Sequence, residues 1–164
     1  MWRCVAVTLC SGLLLLAVPA FGDAASEPGW SRNGLETESQ SVPYVVEILT
    51  PDAKRIGLTE SQVGSKVELR LVSAGLVPGD PRVSTDYYLY VRVLVAGDAF
   101  SCELQFRRGV EFVGARNTRF SLPGARTWDR LTIGTHGGRA EYVVAVLDEL
   151  LDQFLNDYQK ANPK

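Results

Sequence analysis

Side chains that commonly perform chemistry are scarce in this chain of 164 residues, which contains a single histidine. That residue, His136, is followed by two glycines and stands just before the last predicted helix. A histidine acting as a general base requires a nucleophile and an orienting carboxylate, and a histidine binding a metal requires further ligands. No HxxE, HxH or GxSxG pattern is present. We therefore interpret His136 as an exposed or capping loop residue whose replacement leaves fold and stability nearly unchanged.

The three cysteines fall into two groups. Cys4 and Cys10 lie in an apolar N-terminal segment, and only Cys102 lies in the remainder of the chain. Cys102 alternates along a predicted strand with the same phase as Phe100 and Leu104, which places its thiol on a buried and unreactive face. Without the N-terminal segment no intramolecular disulfide can form, so the fold depends on packing.

Arginines are concentrated between residues 107 and 130, where six of them accompany only two acids. The six are Arg107, Arg108, Arg116, Arg119, Arg126 and Arg130. Arginine is suited to bidentate capture of phosphate or carboxylate, so these residues form a candidate anion-contact surface. The alternative is a solvated hairpin whose charges protect a strand edge from aggregation. Residues 141–157 contain five acids and no base, which suggests an acidic helix at the other pole of an electric dipole.

The N-terminus has the pattern of a secretory signal peptide. Arg3 precedes an apolar run that ends in small residues, with Ala20 and Gly22 at the positions expected before a cleavage site. The run is shorter than the roughly 20 apolar residues of a membrane span. We predict a signal peptide over residues 1–22 and an exported product. Cys10 raises the alternative of a lipoprotein, but Leu9 stands where such signals have a small residue.

Two helices are expected in the rest of the chain. Thr59 and Gln62 have the spacing of a capping box, after which Val63, Val67 and Leu71 share one helical face. The last element, residues 139–161, has a broad apolar stripe that suits packing against a sheet. Its apolar members are Ala140, Val143, Val144, Leu147, Leu150, Leu151, Phe154 and Tyr158.

The remaining elements are predicted strands near residues 44–49, 88–96, 100–112 and 126–133. The second and third alternate in polarity on either side of a Gly97-Asp98 turn, as a hairpin does, and Gly109 is placed to introduce a bulge. Tyr88 and Tyr90 are interpreted as an aromatic ladder beneath a helix. The order β-α-β-β-β-α predicts an α+β fold, a two-layer sandwich of two helices on a mostly antiparallel sheet. We expect a flexible leader over residues 23–42 and a single domain over residues 43–164.

Several segments resemble a family of small exported bacterial proteins of uncharacterised function. They are Val67–Leu76, Tyr88–Val93, Thr127-Trp128 and Leu151–Tyr158. The resemblance extends from about Tyr44 to the C-terminus and implies no catalytic motif. The predicted arrangement is also similar, at the level of fold alone, to α/β periplasmic domains of envelope-assembly accessory proteins.

These observations favour a non-catalytic exported domain, periplasmic or extracellular, that binds an envelope protein or an anionic envelope component. No cofactor, metal site, nucleic-acid partner or transmembrane segment is expected, and the net charge of −2 offers no general attraction for nucleic acid. One alternative is a small hydrolase or anion-binding enzyme centred on His136. Another is a carrier of an apolar ligand held between helix and sheet.

Overall fold

A computed structural model of the chain describes residues 34–80, 82 and 86–163. The predicted signal peptide, 1–22, lies outside these residues, as does most of the predicted leader. The strands are β1 (Ser41–Ile48), β2 (Val77–Gly79), β3 (Tyr87–Ala96), β4 (Ala99–Val113) and β5 (Arg119–Thr135). The helices are α1 (Asp52–Arg55), α2 (Glu60–Ser73) and α3 (Ala140–Ala161), and a short 3₁₀ turn covers Ala115–Asn117.

The strands form one sheet in the order β2-β1-β3-β4-β5. Strands β3, β4 and β5 pair antiparallel, whereas β1 pairs in parallel with β2 and β3. The long helices α2 and α3 pack on one face, so the predicted α+β fold with its mostly antiparallel sheet is confirmed. The structure adds β2 and α1, which contain three and four residues. Elements this short show no periodicity in the sequence.

Helix α2 begins and ends at the residues that its sequence predicts. The Thr59 side chain accepts a hydrogen bond from the backbone N–H of Gln62, and the Gln62 side chain accepts one from the backbone N–H of Thr59. At the other end Gly75 has a φ of 77°, and the N–H of Leu76 donates to the Leu71 carbonyl at 2.9 Å. This is the Schellman arrangement, which supplies partners for the last helical carbonyls.

Helix α3 is anchored to the sheet by aromatic packing. Phe154 lies 5.3 Å from Trp128 and 6.0 Å from Phe106, measured between ring centroids. Tyr158 contacts the same group, and Leu151 has no solvent exposure. Edge-to-face and offset aromatic pairs add about 0.5–1.5 kcal/mol each to the burial of apolar area. The predicted apolar stripe therefore faces the core.

The domain begins earlier than the predicted boundary at residue 43. Leu35 and Val42 are buried, and Ser41 is the first residue of β1. The Asn162 side chain, at the end of α3, donates to the Leu35 carbonyl and accepts from the N–H of Thr37. Residues 34–42 are thus packed against the domain, which corrects the prediction that they belong to a flexible leader. The polar composition of this segment concealed the two apolar residues that anchor it.

None of the helices in the described part of the chain is long and apolar enough to cross a bilayer.

Candidate functional site

His136 is only 2% exposed, so of the two alternatives predicted for this loop residue, exposed or capping, the exposed one is wrong. Its Nδ1 lies 3.0 Å from the backbone N of Gly138 and its Nε2 lies 2.9 Å from the Gly97 carbonyl oxygen. Because a backbone N–H can only donate, Nδ1 is an acceptor and the ring proton resides on Nε2, which donates to Gly97. Positive φ angles at Gly137 and Gly138 allow the tight turn that brings this N–H to the ring. Both ring nitrogens are therefore engaged by backbone groups.

Cys102 lies on the helix-facing side of β4, as its position in the alternation predicts. It has no solvent exposure and forms no disulfide. Its Sγ approaches the Val143 carbonyl of α3 at 3.9 Å. Burial raises the pKa of the Cys102 thiol to about 12, which keeps it in its unreactive protonated form.

The six arginines of the candidate anion-contact surface are divided among different parts of the fold. Arg107 and Arg126 lie on the sheet face opposite the helices, and Arg130 turns towards α3. Arg108 donates to the Glu36 carbonyl at 3.0 Å. Only Arg116 and Arg119 project from the end of the β4–β5 hairpin. The structure thus brings together two of the six at an exposed tip.

The sheet face opposite the helices carries a network of polar side chains centred on Glu103, which is only 5% exposed. The Glu103 carboxylate contacts Arg92, lies 3.5 Å from Arg126 and accepts a hydrogen bond from the Gln105 amide. Gln105 in turn accepts from the Nε of Arg107 at 2.7 Å. Long arginine side chains lie over the carboxylate and remove it from water, although none of the described helices covers this face.

The same network includes Tyr90. Its hydroxyl donates to Glu47, and the guanidinium of Arg107 stacks 4.2 Å above its ring. Burial and the hydrogen bond with Glu47 raise the pKa of Tyr90. Tyr88 shares this outer face with Tyr90, so the prediction of an aromatic ladder beneath a helix is wrong. Alternation correctly places the tyrosines on one face but does not indicate which face the helices cover.

Strands β4 and β5 continue beyond the rest of the sheet as a two-stranded ribbon, residues 109–125. The pairing of β4 with β3 stops at Arg108, which lies opposite Tyr87. The pairs further along β4, from Val110–Leu122 to Val113–Arg119, are formed with β5 alone. Gly109 lies within a shift of register between the two strands, as predicted for a bulge. An isolated two-stranded hairpin is marginally stable in water.

One face of the ribbon exposes large apolar side chains. Phe112 lies directly opposite Phe120, and the two residues are 53% and 57% exposed. Val110 and Leu122 form the next pair on that face, and Leu122 is also exposed. Apolar residues scattered singly on a surface are ordinary, but adjacent pairs on a projecting element indicate a contact site.

The tip of the ribbon combines positive charge with backbone strain. Arg116 and Asn117 have φ angles of 63° and 59°, in the left-handed region. Asparagine tolerates this conformation, whereas arginine has an energetic cost there of about 1–3 kcal/mol. Arg119 lies 3.8 Å from Glu111, and both side chains are more than 70% exposed, so water screens this pair.

Three of the five acids of α3, Asp148, Asp152 and Asp157, form ion pairs, which neutralises most of the expected acidic pole. Asp148 and Asp152 contact Arg70 of α2, and Asp148 also lies 3.5 Å from Lys66. Asp157 accepts from the indole of Trp128 at 3.1 Å and, at 3.3 Å, from Arg130. These contacts join α3 to α2 and to β5, which gives the acids a structural role.

An open polar cleft of about 810 Å³ lies between the N-terminal segment and the start of β3. Its lining includes Glu36, Glu38, Asp86, Tyr87 and Arg108. A carrier of an apolar ligand requires an apolar cavity between helix and sheet, and the cleft has neither that location nor that lining. Among the described residues no three histidine, cysteine or acidic side chains are placed to hold a metal ion.

Comparisons with known proteins identify no family. No family model matches the chain, and no curated protein matches it. The chain is weakly similar to a solved structure, the 2.35 Å crystal structure of a minor lipoprotein from Acinetobacter baumannii. The similarity covers 77% of this chain and 93% of the other, with 12% identity and a TM-score of 0.30. This likeness establishes neither fold nor function, and the resemblance to an exported bacterial family stays a prediction.

Proposed function

We propose that the protein is an exported, non-catalytic binding domain that contacts an anionic lipid surface through the ribbon, residues 109–125. The observation that carries this proposal is the exposed Phe112–Phe120 pair on one face of a ribbon whose tip carries Arg116. Arg119 lies on the other face, opposite Val113 and beside Glu111, so the cationic side chains flank the apolar pair at the end of the ribbon. Apolar rings next to cationic side chains match the boundary between acyl chains and anionic headgroups.

The energetics of this contact are sufficient for reversible binding. Each arginine near an anionic leaflet contributes about 1 kcal/mol. Burying a fully exposed phenylalanine side chain contributes about 1.5–3 kcal/mol, so burying the exposed half of Phe112 or of Phe120 contributes about 0.8–1.6 kcal/mol. The two arginines and two phenylalanines therefore supply about 3.5–5 kcal/mol before any ordering cost, which corresponds to dissociation constants of about 0.2–3 mM.

The ribbon is also hard to explain as a structural element. At its base the N–H of Gly109 donates to the Asp86 carbonyl at 2.8 Å, but residues 110–122 pair beyond the last contact with β3, so their removal would leave the core pairs of the sheet intact. Its exposed apolar pairs carry an aggregation risk, and Arg116 occupies a strained position where glycine would be favoured. Costs of this kind are typical of segments selected for a contact.

A binding role agrees with the surroundings of the candidate catalytic residues. A hydrolase centred on His136 needs a nucleophile and a carboxylate at the ring, where the structure has two backbone groups. Cys102 is a buried thiol whose pKa is raised to about 12. Export is supported by the signal-peptide pattern of residues 1–22.

Co-sedimentation of the purified protein with phosphatidylglycerol vesicles and with neutral phosphatidylcholine vesicles tests the proposal. We expect binding to the anionic vesicles that weakens between about 50 and 200 mM salt, where the screening length falls to about 8 Å. A double variant, Arg116→Ser with Arg119→Ser, should bind about 30-fold more weakly, since it loses roughly 2 kcal/mol. The matched control is Arg55→Ser, which removes an 80% exposed arginine from the opposite end of the sheet.

A second variant, Phe112→Ser with Phe120→Ser, isolates the apolar part of the contact. It should lower binding to anionic vesicles at every salt concentration, because burial of apolar area is not screened. Equal binding by both double variants and by the Arg55→Ser control would refute the proposed contact. So would equal binding to neutral and anionic vesicles, or binding to acidic proteins or cell-wall polymers in place of lipid.

A further inference from the structure

Strand β5 is the last strand of the sheet, and it pairs with β4 alone. No described strand pairs with its other edge. The N–H of His136 donates to the Asp98 carbonyl, on the β4 side. In an antiparallel ladder, residues alternate between facing one neighbour and facing the other. The backbone groups of Leu131, Ile133 and Thr135 therefore point to the free edge.

The two halves of this edge differ in how they are protected against strand pairing. The first half, residues 119–130, contains Pro123 and the charged residues Arg126, Asp129 and Arg130. In addition, the Gly34 carbonyl accepts a hydrogen bond from the Thr127 hydroxyl at 2.7 Å, so the N-terminal segment lies against the strand there. Proline, charge and a covering segment are devices that block pairing at an edge.

The second half, residues 131–135, has none of these devices. It contains Leu131, Thr132, Ile133, Gly134 and Thr135, with neither a charge nor a proline. Leu131 and Ile133 are 54% and 72% exposed. Exposed backbone groups combined with β-branched and apolar side chains make this half competent to add a further strand.

We propose that this half-edge pairs with the same segment of a second copy of the chain, antiparallel, about a two-fold axis at Thr132. In this register Leu131 lies opposite Ile133 of the second copy and exchanges both backbone hydrogen bonds with it. The two-fold axis generates this pair twice. Leu131 and Ile133 of each copy therefore both gain an apolar neighbour on the same face of the sheet.

The charges near the axis are compatible with this pairing. Arg130 lies opposite Gly134 of the second copy, and Asp129 lies opposite Thr135, so no like charges face each other. Residues 131–135 carry no charge that could select a foreign strand of opposite charge. A second copy, in contrast, supplies matching apolar residues by symmetry, with its Ile133 opposite Leu131 and its Leu131 opposite Ile133. This dimer leaves the ribbon, residues 109–125, outside the contact, so it is independent of the proposed lipid binding.

Sedimentation equilibrium over a range of concentrations tests the dimer. We expect a reversible monomer–dimer equilibrium, with Ile133→Asp raising the dimer dissociation constant at least about tenfold because it opposes an acid to an apolar residue at two related positions. The matched control is Val72→Asp, since Val72 is 59% exposed on α2, away from the edge. A monomer at every concentration, or a dimer unaffected by Ile133→Asp, would overturn the proposal.

A cysteine cross-link tests the register independently of any destabilisation. In this register Thr132 lies directly opposite Thr132 of the second copy. The two residues form a pair without hydrogen bonds between their backbones, which is the kind of antiparallel pair whose Cβ atoms are closest. In a Cys102→Ala background, which removes the native thiol directly opposite residue 132 on β4, Thr132→Cys should therefore form an intermolecular disulfide under mild oxidation. Ser61→Cys, exposed on α2, should not. Cross-linking by both variants or by neither would exclude an axis at Thr132.

Discussion

Replacing His136 by alanine tests whether this buried ring joins two loops of the fold. The ring connects the β3–β4 turn, at Gly97, with the loop before α3, at Gly138. The variant removes two hydrogen bonds, each worth about 0.5–1.5 kcal/mol net, and because Gly97 and Gly138 are exposed, water can solvate the carbonyl and the N–H. A pocket of about 280 Å³ that borders the ring and is also lined by Asp52 and Arg55 can admit water to the vacated site. We expect the free energy of unfolding to fall by about 1–3 kcal/mol, whereas an exposed loop histidine would leave it nearly unchanged.

Urea denaturation followed by tryptophan fluorescence measures this loss, because Trp128 lies in the core. For an m value of about 2 kcal/mol/M, the midpoint should fall by about 0.5–1.5 M with the slope unchanged. Thr135→Ala, at the exposed neighbouring residue, is the matched control and should stay within about 0.5 kcal/mol of the parent protein. An unchanged midpoint for His136→Ala would refute the inference that the ring stabilises the two loops.

Three further predictions concern the core and the outer face of the sheet. Leu151→Ala should lower the free energy of unfolding by about 2–5 kcal/mol in the same assay. Leu69→Ala, at an exposed site of α2, should change it little, and equal effects of the two variants would contradict the docking of α3. Cys102 should react with a thiol reagent at pH 8 only after unfolding. Burial raises the pKa of the thiol from 9.0 to about 12, so the unfolded state loses the thiol proton at lower pH than the folded state does. The contribution of Cys102 to the free energy of unfolding should therefore decline from about pH 9 to pH 12. Fast labelling of the folded protein, or the absence of a decline that depends on Cys102, would contradict the burial of the thiol. Glu103→Gln should cost about 1–3 kcal/mol, because it removes the charge that Arg92 contacts; a more stable variant would mean that the buried carboxylate is a net cost.

Local signals in the sequence predicted the elements well because their causes are local. The capping box at Thr59 and the left-handed glycine at Gly75 set the ends of α2 through hydrogen bonds within a few residues. The Gly97-Asp98 turn and the alternation of polarity on either side of it predicted the β3–β4 hairpin. The parallel pairing of β1 could not be predicted this way, because it depends on the crossover through α2 that brings β1 beside β3.

Burial of polar residues depends on contacts between distant segments, and there the sequence was misleading. Glu103 lies on the face that alternation predicts, yet it is buried because arginines from β3 and β5 extend over it. The burial of His136 in its loop could not be predicted, because the two partners of the ring are backbone groups, which leave no trace in residue types. Leu35 lies in a polar segment whose packing against α3 is not visible locally.

The distribution of charge on the folded chain changes the electrostatic argument for anion binding. In the sequence, six arginines near the middle and five acids in the last helix suggested a molecular dipole. In the structure, three of the α3 acids contact basic residues of α2 and β5, which compensates their fields over short distances. Among the described residues, the acid that pairs with the tip of the ribbon is Glu111, 3.8 Å from Arg119 and exposed to water. An anionic surface approaching the ribbon therefore meets positive charge first, within a screening length of about 8 Å, although the chain as a whole has a net charge of −2.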